Sequence, residues 1–73
     1  MGDVQRITRI NSKIIEIDAI IMGINEQKYN LLAEMDEKNV EGEEFFEYIQ
    51  EIAEIDQTVW DLKAEKQRLL NLL

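Results

Sequence analysis

The sequence has no cysteine and no histidine among its 73 residues. Without cysteine there are no disulfides and no thiolate nucleophile. Without histidine the commonest general base is missing, and so are Cys/His zinc sites and the Glu-x-x-His di-iron sites of helical bundles. We therefore predict no catalytic residue, no metal site, no cofactor and no small-molecule substrate, and we expect that the protein is not an enzyme.

Proline is absent and there are only three glycines, a composition that permits long helices. No apolar run approaches the roughly 18 residues that a membrane span needs. The N-terminal region also lacks the uninterrupted apolar segment of a signal peptide. We therefore expect a soluble, cytoplasmic protein without a membrane partner. A chain this short struggles to stabilise itself with its own core, so oligomerisation is expected.

Two segments carry apolar residues at the 3.5-residue spacing of a coiled coil. The first runs from about residue 3 to 38, with Ile7 at position a of the heptad abcdefg. The second runs from about residue 43 to 73, with Phe45 at position a. The turn between them, residues 39–42, reads Asn-Val-Glu-Gly and favours a break over a continuous helix through the same residues. Residues 1–73 are therefore predicted to form a single all-α domain, an antiparallel two-helix hairpin with a coiled-coil seam.

Positions b and e carry a second set of apolar residues that the seam does not use. In an antiparallel pair the e flanks lie on the same side, so this set converges on one surface, which we call the apolar face. It consists of Val4, Ile15, Met22, Tyr29, Leu32, Phe46, Ile49, Ala53, Trp60 and Leu70. Burying one Leu-sized side chain contributes roughly 1.5–3 kcal/mol. We therefore expect two hairpins to pack face to face as a homodimeric four-helix bundle, anchored by Phe46 and Trp60.

The net charge of −8 is unevenly distributed along the chain. Residues 34–56 contain ten acids and one base, whereas the rest contains six acids and seven bases. A hairpin places both termini at one end, so the molecule is predicted to be acidic at the loop and basic at the other end. Hairpins that point in opposite directions would set each acidic end beside a basic end, so we expect an opposed dimer. The excess of acid disfavours direct nucleic-acid binding.

Lys28 and Lys66 occupy the two polar seam positions of the heptads. A buried lysine can act as a base or form a Schiff base. The favoured interpretation is structural, in which both lysines snorkel or fix the register. Polar residues also interrupt the apolar face, and facing e positions predict two contacts that would specify register. These predicted contacts are Asp18 with Lys63 and Asn25 with Asp56.

The loop places polar residues at a spacing similar to that of an EF-hand calcium loop, beginning at Glu37. The comparison fails at Tyr48, because the twelfth position of such a loop requires a bidentate glutamate. No calcium site is predicted there.

The leading functional hypothesis is a non-enzymatic helical protein–protein interaction module, homodimeric, that binds or regulates another protein. The alternative is a small acidic inhibitor of phage or plasmid type, which would imitate nucleic acid and occupy the basic groove of an enzyme. Its acidic partner surface would be Glu43, Glu44, Glu47 and Glu51. The third hypothesis is an RNA-binding helical-hairpin dimer. Its contacts would come from Arg6, Arg9, Lys13, Lys63 and Arg68.

Overall fold

A computed structural model describes residues 2–73 as two long helices that pack side by side. Helix α1 is Gly2–Lys38 and helix α2 is Gly42–Asn71. Together they form a rod whose Cα atoms extend over 59 × 16 × 10 Å. The predicted all-α helical hairpin is confirmed, and the continuous helix is wrong. Helix α2 begins one residue before the predicted bound and ends two residues before it.

The turn reverses the chain through two residues with left-handed backbone conformation. Asn39 has a φ of 51° and Gly42 a φ of 65°. The amide of Asn39 donates to the carbonyl of Asp36, and the amide of Val40 donates to the carbonyl of Met35, both at 3.4 Å. This pair of hydrogen bonds is the Schellman pattern, which satisfies carbonyls left unpaired at a helix C-terminus. The turn is therefore short and defined by the backbone.

The seam between the helices forms a thin core. All the buried side chains of residues 2–73 stand at positions a or d, and they are Ile10, Ile14, Ile17, Ile21, Ile52 and Val59. Around the centre of this seam, partly buried side chains complete the packing, namely Ile24, Ile55, Leu62 and Leu69. Within the described residues no large side chain is fully enclosed. A single apolar layer therefore joins the helices.

The sequence of α2 repeats that of α1 at an offset of 38 residues. The tripeptide Glu-Ile-Asp occurs at 16–18 and again at 54–56, at the same heptad positions. Further identical pairs at this offset are Ile14/Ile52, Lys28/Lys66, Leu31/Leu69 and Leu32/Leu70. Because the helices are antiparallel, residues n and n + 38 are related by an approximate two-fold axis perpendicular to the rod. We call this axis the internal pseudo-dyad.

Candidate functional site

The apolar face is open to solvent along the hairpin. Its large side chains keep between 40% and 73% of their surface exposed, and Ala53 is exposed as well. The most exposed are Met22, Phe46 and Trp60, at 73%, 70% and 70%. Position b projects away from the seam, so these side chains contribute little to the packing of the hairpin. Their apolar surface is left without a partner within residues 2–73.

Two ion pairs cross the seam at the centre of this face. The ammonium group of Lys28 donates to Oδ1 of Asp56 at 2.8 Å. The ammonium group of Lys66 donates to Oδ1 of Asp18 at 2.7 Å. In both pairs the lysine comes from position a and the aspartate from position e of the other helix. The internal pseudo-dyad exchanges the two pairs, since 28 and 66 differ by 38, as do 18 and 56.

These contacts correct two predictions made from facing e positions. Asp18 does not pair with Lys63, and Asp56 does not pair with Asn25, because each aspartate bonds to the seam lysine of the opposite helix. The physical reason is the distance between the two e columns, which belong to different helices and are separated by the width of the seam. Position a lies in the seam, closer to the e column of the opposite helix, so its lysine side chain spans the shorter gap.

The ion pairs also define which residues of the two helices are level with one another. The residue numbers of each pair add to 84, so residue n of α1 lies level with about residue 84 − n of α2. The internal pseudo-dyad then crosses the rod near Met22 and Trp60. Asn25 and Lys63, both at position e, lie close to it as well. The middle of the apolar face, which we call the polar centre, thus carries Asn25, Lys63 and the two ion pairs around the apolar side chains of Met22 and Trp60.

At the loop end, a groove borders the apolar face. It is lined by Leu32, Met35, Asp36, Asn39, Val40 and Phe45. Val40 and Phe45 lie side by side in the lining of this groove. The ring of Phe45 packs edge-on against that of Phe46, with centroids 5.9 Å apart and an angle of 76°. Asp36, at position b, brings a carboxylate to an otherwise apolar end of the face.

The acidic residues of the loop end lie mainly on the other side of the hairpin, at positions c and g. The predicted acidic partner surface is exposed at all four of its residues, which are Glu43, Glu44, Glu47 and Glu51. Glu51 lines a shallow groove with Glu34, over a floor that includes Leu31 and Ile55. Most of this negative charge therefore lies away from the apolar face.

Lys38 is the single base of the acidic segment, residues 34–56. Its ammonium group lies 3.1 Å from Oε1 of Glu34 and donates to the hydroxyl of Tyr48 at 3.3 Å. The hydrogen bond to the Glu34 carboxylate, followed by that to Tyr48, raises the pKa of Lys38 above its ordinary value. One lysine cannot balance ten acids, so the segment remains strongly negative.

At the basic end, three cations line one groove. Arg6, Arg9 and Lys13 border it, above an apolar floor that includes Ile10 and Leu69. The other two residues of the predicted RNA-binding set lie elsewhere. Lys63 lines a pocket with Trp60 and Ala64, and Arg68 forms a long salt bridge with Glu65 at 3.6 Å. The structure therefore brings three of the five predicted bases together.

Within residues 2–73, no helix is long and apolar enough to cross a membrane, and no group of three or more acidic side chains is arranged to hold a metal ion. Comparisons with protein-family models, curated proteins and solved structures gave no match.

Proposed function

We propose that this protein is a non-enzymatic helical interaction module that forms a homodimeric four-helix bundle and, as a dimer, binds another protein. The observation that carries this proposal is the exposed apolar face. Monomeric proteins rarely leave a contiguous apolar surface of this extent open to water.

The thin core of the hairpin supports dimerisation. One layer of buried seam residues joins the helices, and a domain of this size buries too little surface to be stable by a wide margin. Burial of each exposed side chain such as Trp60 or Met22 contributes roughly 1.5–3 kcal/mol. A second copy would therefore add stability comparable with that of the hairpin itself.

The direction of the apolar face fits a bundle of four helices. Successive heptad positions around a helix follow the order a, e, b, f, c, g, d, so e and b are centred about a quarter turn from the a/d seam. Each helix of a four-helix bundle contacts two neighbours at about that angle. Beyond b, the f positions of α1 are mostly small or uncharged, as Ser12, Ala19 and Ala33 show. They would form the rim of the interface.

Sedimentation equilibrium over a range of concentrations tests the dimer. Trp60→Ala should weaken the dimer by roughly 100-fold or more, because the side chain is lost from both copies and each large buried side chain contributes roughly 1.5–3 kcal/mol. The matched control is Ile20→Ala, because Ile20 is also exposed but stands at position g on the other side. Its dissociation constant should equal that of the wild type. A wild-type chain that stays monomeric at high concentration would overturn the homodimer.

A second function is supported by the acidic surface. Residues 34–56 contain ten acids against one base, and most of these acids lie on a side of the hairpin that the proposed dimer leaves free. Such a surface can imitate nucleic-acid phosphates and occupy the basic groove of an enzyme, so the acidic inhibitor is the second candidate.

Displacement of duplex DNA from a basic DNA-binding protein, measured at increasing salt, tests this inhibitor. Replacement of Glu44, Glu47 and Glu51 by glutamine should abolish displacement and leave the helical content unchanged. Three acids outside the segment provide a control with the same change in net charge. These are Glu16, Glu26 and Asp61, each replaced by its amide. Equal loss in both triple variants would refute a defined acidic site.

A further inference from the structure

We propose that the second copy occupies the apolar face in one register and one orientation, with the two internal pseudo-dyads aligned and the loops at opposite ends. This inference rests on the proposed homodimer and specifies its geometry. It follows from the positions of the polar residues within the face.

The polar centre fixes the register. The pairs Lys28–Asp56 and Lys66–Asp18 lie at nearly equal distances from the internal pseudo-dyad, one on each side of it. When the two axes coincide, each ion pair of one copy lies over an ion pair of the other. Any shift along the rod would instead place these charges against apolar side chains, which is costly for a buried charge.

In the opposed dimer the four charges of each layer alternate in sign. Helix α1 of one copy lies over α1 of the other, so Lys28 of one copy faces Asp18 of the other. Likewise Asp56 of one copy faces Lys66 of the other. Each ammonium group then has two carboxylates as neighbours, which offsets the loss of solvent on burial. A dimer with both loops at one end gives the same alternation of charge. The polar centre therefore determines the register of the dimer, whereas its orientation is determined by other residues.

Asp36 determines the orientation. In the opposed dimer this carboxylate comes opposite Asn11 of the second copy, whose side-chain amide at position e supplies a hydrogen-bond donor. Apolar residues also face apolar residues of the second copy, since Ile49 comes opposite Leu73. Asp36 and Asn11, both polar, then lie opposite each other.

The orientation with both loops at one end mismatches these residues. Asp36 would lie over Phe46 and Ile49 of the second copy, with no hydrogen-bond donor from either side chain. Asn11 would lie over Leu70. Burial of an unpaired carboxylate is among the costliest changes in an interface, so this orientation is disfavoured.

A charge-rescue experiment tests the orientation in the full chain. Asn11→Asp places a second carboxylate opposite Asp36 of the other copy and should weaken the dimer at least tenfold in sedimentation equilibrium. Asp36→Asn in the same chain should restore at least half of that loss on a logarithmic scale. Within one hairpin the two residues are 25 positions apart, roughly 38 Å at 1.5 Å per residue, so they can contact each other only between copies.

Cysteine cross-linking tests the register independently, because the chain has no native cysteine. Met22→Cys lies close to the internal pseudo-dyad and should form a disulfide with itself in the opposed dimer. A mixture of Tyr29→Cys and Ile15→Cys should cross-link as well. Ala53→Cys is the matched control for Ile15→Cys, since the internal pseudo-dyad relates these positions. It should cross-link with Tyr29→Cys only when both loops lie at one end.

The outcomes separate this inference from the proposed function. A dimer that shows no rescue and links Tyr29→Cys to Ala53→Cys would overturn the opposed orientation and keep the homodimer. A dimer in which Ile15→Cys links to itself would overturn the register. A wild-type chain without any dimer would overturn both. Serine at the same positions, examined by sedimentation, shows whether each substitution itself preserves the dimer.

Discussion

Lys28 donates to Asp56 at 2.8 Å from a seam column that holds isoleucine in each of the three preceding heptads. A lysine in such a seam costs apolar packing, and the ion pair offsets part of that cost. The same arrangement recurs at Lys66 and Asp18 at 2.7 Å. A slip of α2 by one heptad would move each lysine roughly 10 Å from its aspartate at 1.5 Å per residue. The two pairs therefore select one register between the helices.

The first prediction concerns the strength of these ion pairs. Lys66 and Asp18 keep 32% and 47% of their side-chain surface exposed in the hairpin, so solvent screens their attraction. A double-mutant cycle with Lys66→Met and Asp18→Asn should give a coupling of about 0.2–1 kcal/mol at concentrations where the chain is monomeric. Urea unfolding followed by circular dichroism measures each member of the cycle.

Combining Lys28→Met with Asp18→Asn provides a control for this cycle, because these residues belong to different pairs. The changes that the two substitutions cause in the free energy of unfolding should be additive. Coupling in this control as large as in the real pair would contradict a specific contact between Lys66 and Asp18.

The heptad spacing was sufficient to predict the seam and the hairpin, since isoleucine at positions a and d leaves few other ways to bury these side chains. The heptad spacing did not predict the polar contacts. A heptad position specifies on which side of the helix a residue lies, and not how far its side chain extends toward the other helix. The repeat of Glu-Ile-Asp at residues 16–18 and 54–56 was the missed signal. Two equivalent aspartates, each ten residues before a seam lysine, indicate two equivalent pairs in an antiparallel hairpin.

The second prediction concerns the turn. Gly42 has a φ of 65°, and a Cβ atom at this position would meet nothing within 4 Å. The cost of Gly42→Ala is therefore conformational, and we expect a destabilisation of about 1–2 kcal/mol. Gly23→Ala is the matched control, because Gly23 lies inside α1 and a Cβ atom there is equally unhindered. It should stabilise the hairpin by about 0.5–1 kcal/mol. Urea midpoints that move in the same direction would contradict the role of the turn glycine.

The third prediction concerns Lys38. Its pKa should lie above the ordinary value of 10.5, because the charged form bonds to Glu34 and Tyr48. Since the folded-state pKa is raised, the stabilising contribution is complete at lower pH and declines as pH rises through that value. Side-chain NMR titration measures the pKa. Glu34→Gln should lower it by more than Tyr48→Phe does, because the carboxylate has the larger effect. The reverse order would show that the hydroxyl is the dominant partner.

The fourth prediction concerns the separation of charge along the hairpin. Glu51 borders the same groove as Glu34 and lies one helical turn after Glu47, so it is surrounded by like charge. Glu51→Lys should stabilise the hairpin by about 0.3–0.5 kcal/mol for each repulsion that becomes an attraction. Glu65→Lys is the matched comparison, since both residues stand at position g of α2 and both changes add two positive charges. Glu65 instead lies 3.6 Å from Arg68 and one helical turn after Asp61, so its replacement removes one attraction, creates another and should leave the stability nearly unchanged. Urea unfolding should show a stabilising shift for Glu51→Lys that shrinks as salt rises, and little shift for Glu65→Lys. Equal shifts for the two variants would mean that net charge alone decides stability, and that the acidic and basic ends do not act as separate surfaces.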